Sequence, residues 1–156
     1  MGRSARMRSA ALALGLAVAG IGPARAQEGV LSVPSAHDVA TTIDRLEAAL
    51  EEKGMTVFAR IDHAGGAEKA GLSLAPTEVL VFGNPKVGTP LMGCARSVAI
   101  DLPQKMLAWE DEDGATRLGW NDPAYLASRH DLAGCEAVLE KVAAALEGFA
   151  RTATAE

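Results

Sequence analysis

The sequence predicts an α+β fold of two layers, with helices packed on one face of a mainly antiparallel sheet of about five strands. Three observations predict it. Two long segments, 35–53 and 135–150, carry apolar residues at helical spacing on one side only. Short runs at 55–61, 77–82 and 105–120 have strand periodicity. Asp111-Glu112-Asp113-Gly114 supplies an Asp-Gly hairpin turn between two of those runs. The predicted order is β-α-β-(short α)-β-(short α)-β-β-α-α.

The first element is an apolar strand at 29–34. Ser35 then reads as a helix N-cap, with Asp38 and His37 inside the first turn. Val39, Ile43, Leu46 and Leu50 form the buried stripe, opposite Asp44, Arg45, Glu51, Glu52 and Lys53, and Gly54 ends the helix. Residues 55–61 alternate, with Met55, Val57, Ala59 and Ile61 on one face. Residues 64–70 are a Gly-interrupted turn or two of helix after Asp62-His63. Residues 77–82 read as a second clear strand, and its continuous apolar run predicts burial on both sides.

Residues 98–102 and 105–110 read as one extended segment interrupted at Pro103, which predicts an edge strand or bulge there. Residues 115–120 return as the hairpin partner. Asn121-Asp122-Pro123 stops that strand and starts a short helix, because proline suits the first helical position. After Gly134, the residues Cys135, Val138, Leu139, Val142, Leu146 and Phe149 stripe a final helix, and 151–156 are expected to fray.

The N-terminus reads as an export signal. Arg3, Arg6 and Arg8 precede an apolar run at 10–21, and Ala24-Arg25-Ala26 offers a cut before Gln27. The apolar run is too short to span a bilayer. Residues 1–26 are therefore expected to leave, and 27–156 to form one α+β domain, periplasmic or secreted, with no stable membrane insertion. Loss of Arg3, Arg6, Arg8 and Arg25 takes Lys+Arg from 15 to 11 against 20 Asp+Glu, a net charge of −9. An acidic chain without a basic run excludes nucleic acid as a partner. Cys94 and Cys135 are disulfide candidates in an oxidising compartment. The alternative is two buried thiols, and without a C-x-x-C no thioredoxin-like centre is indicated.

The densest functional signal is Gly83–Thr89, GNPKVGT. It fails as a phosphate loop because Lys86 precedes Gly88-Thr89 instead of lying between glycine and hydroxyl. A weaker anion site survives: a helix starting at Thr89-Pro90 would present free N–H groups beside Lys86. Asn84-Pro85 is a second cap-plus-proline pair. His63 at a strand end is a candidate general base or metal ligand. His130 and Met92 are further metal or haem candidates, though no paired-ligand spacing exists. Asp101 and Lys105 flank Leu102-Pro103 as a polar pair. Ser73, Ser97 and Ser128 lie in no G-x-S-x-G context.

Taken together, several motifs resemble one family. They are Asp62-His63, Phe82-Gly83-Asn84-Pro85, Gly88-Thr89-Pro90-Leu91-Met92, Asp101-Leu102-Pro103-x-Lys105, Trp109-Glu110-Asp111 and Asn121-Asp122-Pro123 through Tyr125 and His130. Over 57–130 the chain resembles the bacterial and archaeal domain of unknown function 302. That resemblance implies a compact α+β domain that can form a homodimer, and no established activity. Gln104 and Met106 vary around the D-L-P-x-K core, and 64–67 is a more flexible version of the segment after the histidine.

The favoured expectation is a non-enzymatic domain binding a small molecule or anion. Its site would draw on His63, Asn84, Lys86, Thr89, Met92, Asp101, Lys105, Asn121 and His130. One alternative is an enzyme with His63 as base and the Thr89 helix start stabilising negative charge. Another is a haem- or metal-binding protein. No cofactor is specified by the residues.

Overall fold

The structure, a computed structural model, describes residues 28–156; the expected signal peptide at 1–26 lies outside the described residues. Five strands form one sheet in the order β1-β5-β4-β3-β2. They are β1 (Val30–Pro34), β2 (Thr56–Asp62), β3 (Thr77–Gly83), β4 (Gln104–Glu110) and β5 (Thr116–Asn121). All four pairings are antiparallel. The helices are α1 (Val39–Glu52), α2 (His63–Lys69), α3 (Pro85–Cys94), α4 (Pro123–His130) and α5 (Glu136–Thr154). A 3₁₀ turn spans Arg96–Ile100. This is the predicted α+β class.

The core lies between one sheet face and the α1–α5 pair. Leu80, Phe82, Met106, Ala108, Leu118 and Trp120 from the sheet meet Ile43, Leu46 and Leu50 of α1 and Val142, Leu146, Phe149 and Ala150 of α5. Phe82 and Phe149 meet edge to face, with centroids 6.2 Å apart.

Several local expectations need correction. Asp38, not Ser35, caps α1: its Oδ1 accepts the Thr41 N–H at 2.7 Å. Ser35 instead meets the Thr42 hydroxyl, and His37 falls before the helix, its Nε2 bonded to the Ala155 carbonyl at 2.7 Å. The β2 alternation is broken by a bulge between Val57 and Ala59. One extra residue reverses the facing of the rest of the strand, so Arg60 joins Leu80 on the helix side. There it bonds Glu78 and reaches Asp44 and Glu47 of α1. Asp44 first, and then Glu78, raise its pKa further above the ordinary value.

β3 is not buried on both sides; Leu80 and Phe82 are buried while Val79 and Val81 are only half so. Residues 98–102 are not extended. Val98 is fully buried and its carbonyl accepts both the Asp101 and Leu102 N–H groups, which closes a 3₁₀ turn. Pro103 marks no edge, because it precedes β4, a strand paired on both sides. α5 does not fray at 151. Arg45 donates to the carbonyls of Thr152, Ala153 and Ala155 and secures its last turn.

The outer face of the sheet is unusual for a two-layer fold. By register it carries Ile61, Val79, Val81, Leu107 and Trp109 across three neighbouring strands. Trp109 lies over Gly119, where an added Cβ would approach its ring to 2.9 Å. An antiparallel sheet that faces water normally turns polar on that side; this one does so over β1 and β5, with Ser32, Arg117 and Asn121, but stays mostly apolar over β2, β3 and β4.

Candidate functional site

The sheet has two ends, and they sort the candidate residues. At one end lie the close of β3, the start of β4, the close of β5 and the start of β2. At the other lie Asp62-His63, Glu78 and Glu110. Thr56 pairs with Gly83 and Asp62 with Glu78, so His63 sits about 20 Å from Gly83 at 3.4 Å per residue. His63 is exposed at the first position of α2. It therefore joins no site with Asn84, Thr89 or Asp101, and the pairing of a His63 base with a Thr89 helix start is ruled out geometrically.

The Thr89 helix start does not exist either. α3 begins at its cap, Asn84, whose side chain accepts the Lys86 N–H at 2.9 Å. The Asn84 carbonyl accepts from Val87 and Gly88. Pro85 has no N–H, so the first turn has no donor left for an anion. α3 then runs through Pro90, leaving Thr89 mid-helix. Lys86 is exposed and stands apart from the cavity below.

That cavity, about 270 Å³, lies under α3 at the β3–β4 end of the sheet. Asn84 and Thr89 contribute polar edges, while Met55, Phe58, Met92 and Leu102 make its apolar wall. At its floor is Gln104, the first residue of β4, only 9% exposed. Gln104 is in phase with buried Met106 and Ala108, so its side chain faces inward. Its amide makes no hydrogen bond among the described residues but is not sealed from solvent; the buried side-chain nitrogen without a partner among them is Trp120 Nε1. Gln104, Met55 and Val87 also line a second, larger cleft of about 640 Å³ between α1 and α5.

Asp101 and His130 are brought together beside this end. His130 Nε2 lies 2.5 Å from Asp101 Oδ2, and Nδ1 lies 3.0 Å from Ser97 Oγ. Arg129 holds the other Asp101 oxygen at 3.2 Å. Asp101 and Lys105 do not pair through their charges. Lys105 Nζ donates to the carbonyls of Asp101 and Pro103 and staples the turn into β4. Asn121 ends β5, paired with Val30. Cys94 and Cys135 form a disulfide between the end of α3 and the start of α5. Among the described residues no group of three His, Cys, Asp or Glu side chains could hold a metal, and both His130 ring nitrogens are already engaged.

The sequence reading missed Gln104 and Ser97. Gln104 left a signal: starting the strand one residue earlier puts a polar side chain on its buried phase. Ser97 left none, since its partner His130 lies 33 positions away.

The family described as Domain of unknown function DUF302 matches residues 31–149. The chain belongs to the DUF302 family. A crystal structure of an uncharacterized conserved DUF302 protein from Bacillus stearothermophilus shares the fold. The TM-score is 0.64 at 22% identity, covering 82% of this chain and 97% of that one. Among curated proteins, two described as "Fluoride-specific ion channel FluC 1" are 52% identical over 104 residues, 67% of this chain. They come from Brucella suis and Brucella abortus. This DUF302 chain spans only 41% and 38% of their respective lengths.

Proposed function

We propose that this DUF302 domain is an exported binding or accessory domain whose ligand occupies the cavity under α3. The observation that carries the reading is Gln104, 9% exposed, on the lining of that cavity with its amide unpaired among the described residues. A bound polar group would satisfy it, while Met55, Phe58, Met92 and Leu102 would cover an apolar remainder. The cavity is smaller than the roughly 300–1,000 Å³ of drug-sized sites, so the ligand is small and mostly apolar. The disulfide supports export to an oxidising compartment. The apolar outer sheet face supports a homodimer.

The FluC relatives support the accessory half of the reading. No described helix is long and apolar enough to cross a membrane. The chain spans only 41% and 38% of those relatives, and their transport activity is not carried over.

Native mass spectrometry of signal-cleaved protein recovered from an exporting host tests the site. A bound small molecule is expected on the wild type. Gln104→Leu should weaken its retention about 10–100-fold, the cost of one unpaired polar group, while His63→Ala and Lys86→Ala should retain it. A wild-type spectrum showing bare polypeptide, or full retention by Gln104→Leu, overturns the assignment.

A further inference from the structure

A second constellation stands apart from the cavity. The 3₁₀ turn between α3 and β4 presents Ser97 and Asp101, and α4 ends at His130 directly against it. α4 is stopped there by Asp131, which takes the left-handed conformation with φ of 51°. The His130 side chain is 5% exposed and that of Asp101 14%, while Ser97 is exposed. A solvent-facing hydroxyl is thus bonded to a buried imidazole, which is bonded to a mostly buried carboxylate.

The proton positions are set by the partners. An ionised carboxylate only accepts, so Asp101 requires the proton on Nε2. In neutral imidazole that leaves the Nδ1 lone pair facing Ser97 Oγ. Arg129 on the second carboxylate oxygen keeps Asp101 oriented. Such a relay is defined by geometry and roles, not by order along the chain.

We propose that Ser97 is a nucleophile activated by His130, with Asp101 as positioning residue, acting on small carboxylic esters that approach from solvent. Ser97 Oγ bonds to the acyl carbon as its proton passes to Nδ1. The ester C–O bond breaks and the leaving alkoxide takes that proton. Water then attacks the acyl-serine, losing a proton to Nδ1 that returns to Oγ as the acyl–Oγ bond breaks. The net change is ester plus water to acid plus alcohol, with no oxidant, reductant or metal consumed. Ile100, 74% exposed and one 3₁₀ turn beyond Ser97, offers an apolar contact for a short acyl chain.

The test treats the signal-cleaved, disulfide-bonded protein with diisopropyl fluorophosphate and maps adducts by peptide mass spectrometry. Ser73 and Ser128, both exposed, serve as controls in the same digest, so the comparison does not depend on a variant folding. Ser97 is expected to react about 100-fold faster than either, the scale of general-base assistance. Asp101→Asn should slow Ser97 more than tenfold without altering the two controls. p-Nitrophenyl acetate should acetylate Ser97 and leave Ser97→Ala unmodified. A Ser97 rate within tenfold of Ser73 and Ser128 makes the three side chains a structural pin and overturns the proposal.

Discussion

Asp38 and Glu136 each hold a carboxylate against backbone N–H groups at the start of a long helix. Hydrogen bonds from the Thr41 backbone lower the Asp38 pKa below its ordinary 3.8. The Gly134 and Glu136 N–H groups do the same for Glu136 below 4.5. A depressed carboxylate pKa stabilises the fold above the unfolded value, and that contribution is lost as pH falls through the folded value. The double variant Asp38→Asn, Glu136→Gln should therefore lose less stability than wild type between pH 6 and pH 3, read as urea midpoints at the two pH values. Equal losses would show that neither carboxylate matters to the acid limb. The sequence shows an acidic cap before Val39, but Ser35 and Asp38 are equally good cap types. Only the Thr41 contact decides between them.

Two elements, α3 and α5, are tied by the Cys94–Cys135 disulfide, and the tie closes the chain segment that contains the β4–β5 hairpin and α4. The sequence separation is 41. Constraining an unfolded loop of that length is worth about 4 kcal/mol in the chain-entropy estimate. A Cys94→Ala, Cys135→Ala double variant should lose most of this in urea unfolding. A loss below about 1 kcal/mol would mean the segment is already held by the packing of α4 and Leu132. The α3 roof was only partly legible. Asn84-Pro85 gives its true start, but Thr89-Pro90 imitates a second start, and sequence cannot say that a helix continues through a proline. The 3₁₀ turn was hidden for another reason. Val98, Ile100 and Leu102 alternate as a strand would, and short apolar runs do not separate strand from helix by period alone. Burial of Val98 beside exposed Ile100 settles it.

At the scale of the whole molecule, local pairings were readable and distant ones were not. The Asp-Gly turn announces β4–β5, whereas β1 reaches β5 across most of the chain, Val30 opposite Asn121. That long-range order places His63 at the wrong end of the sheet for the site expected of it, and brings Asp101 to His130. It also leaves the outer face apolar over β2, β3 and β4. The charged groups on that face by register are Lys105 and Arg117, both at its margins along the strands or at β5. A second copy packed sheet to sheet, about 10 Å away, would cover Val81, Leu107 and Trp109 without burying any of the chain's carboxylate excess. The proposed homodimer should therefore persist at high salt, since its contact is apolar and not ionic. Light scattering after size exclusion is expected to give twice the chain mass at tens of micromolar. Leu107→Glu should return one chain mass with an unchanged far-ultraviolet dichroism spectrum. A wild-type monomer under those conditions would leave the outer face as an exposed sheet surface and remove the dimer.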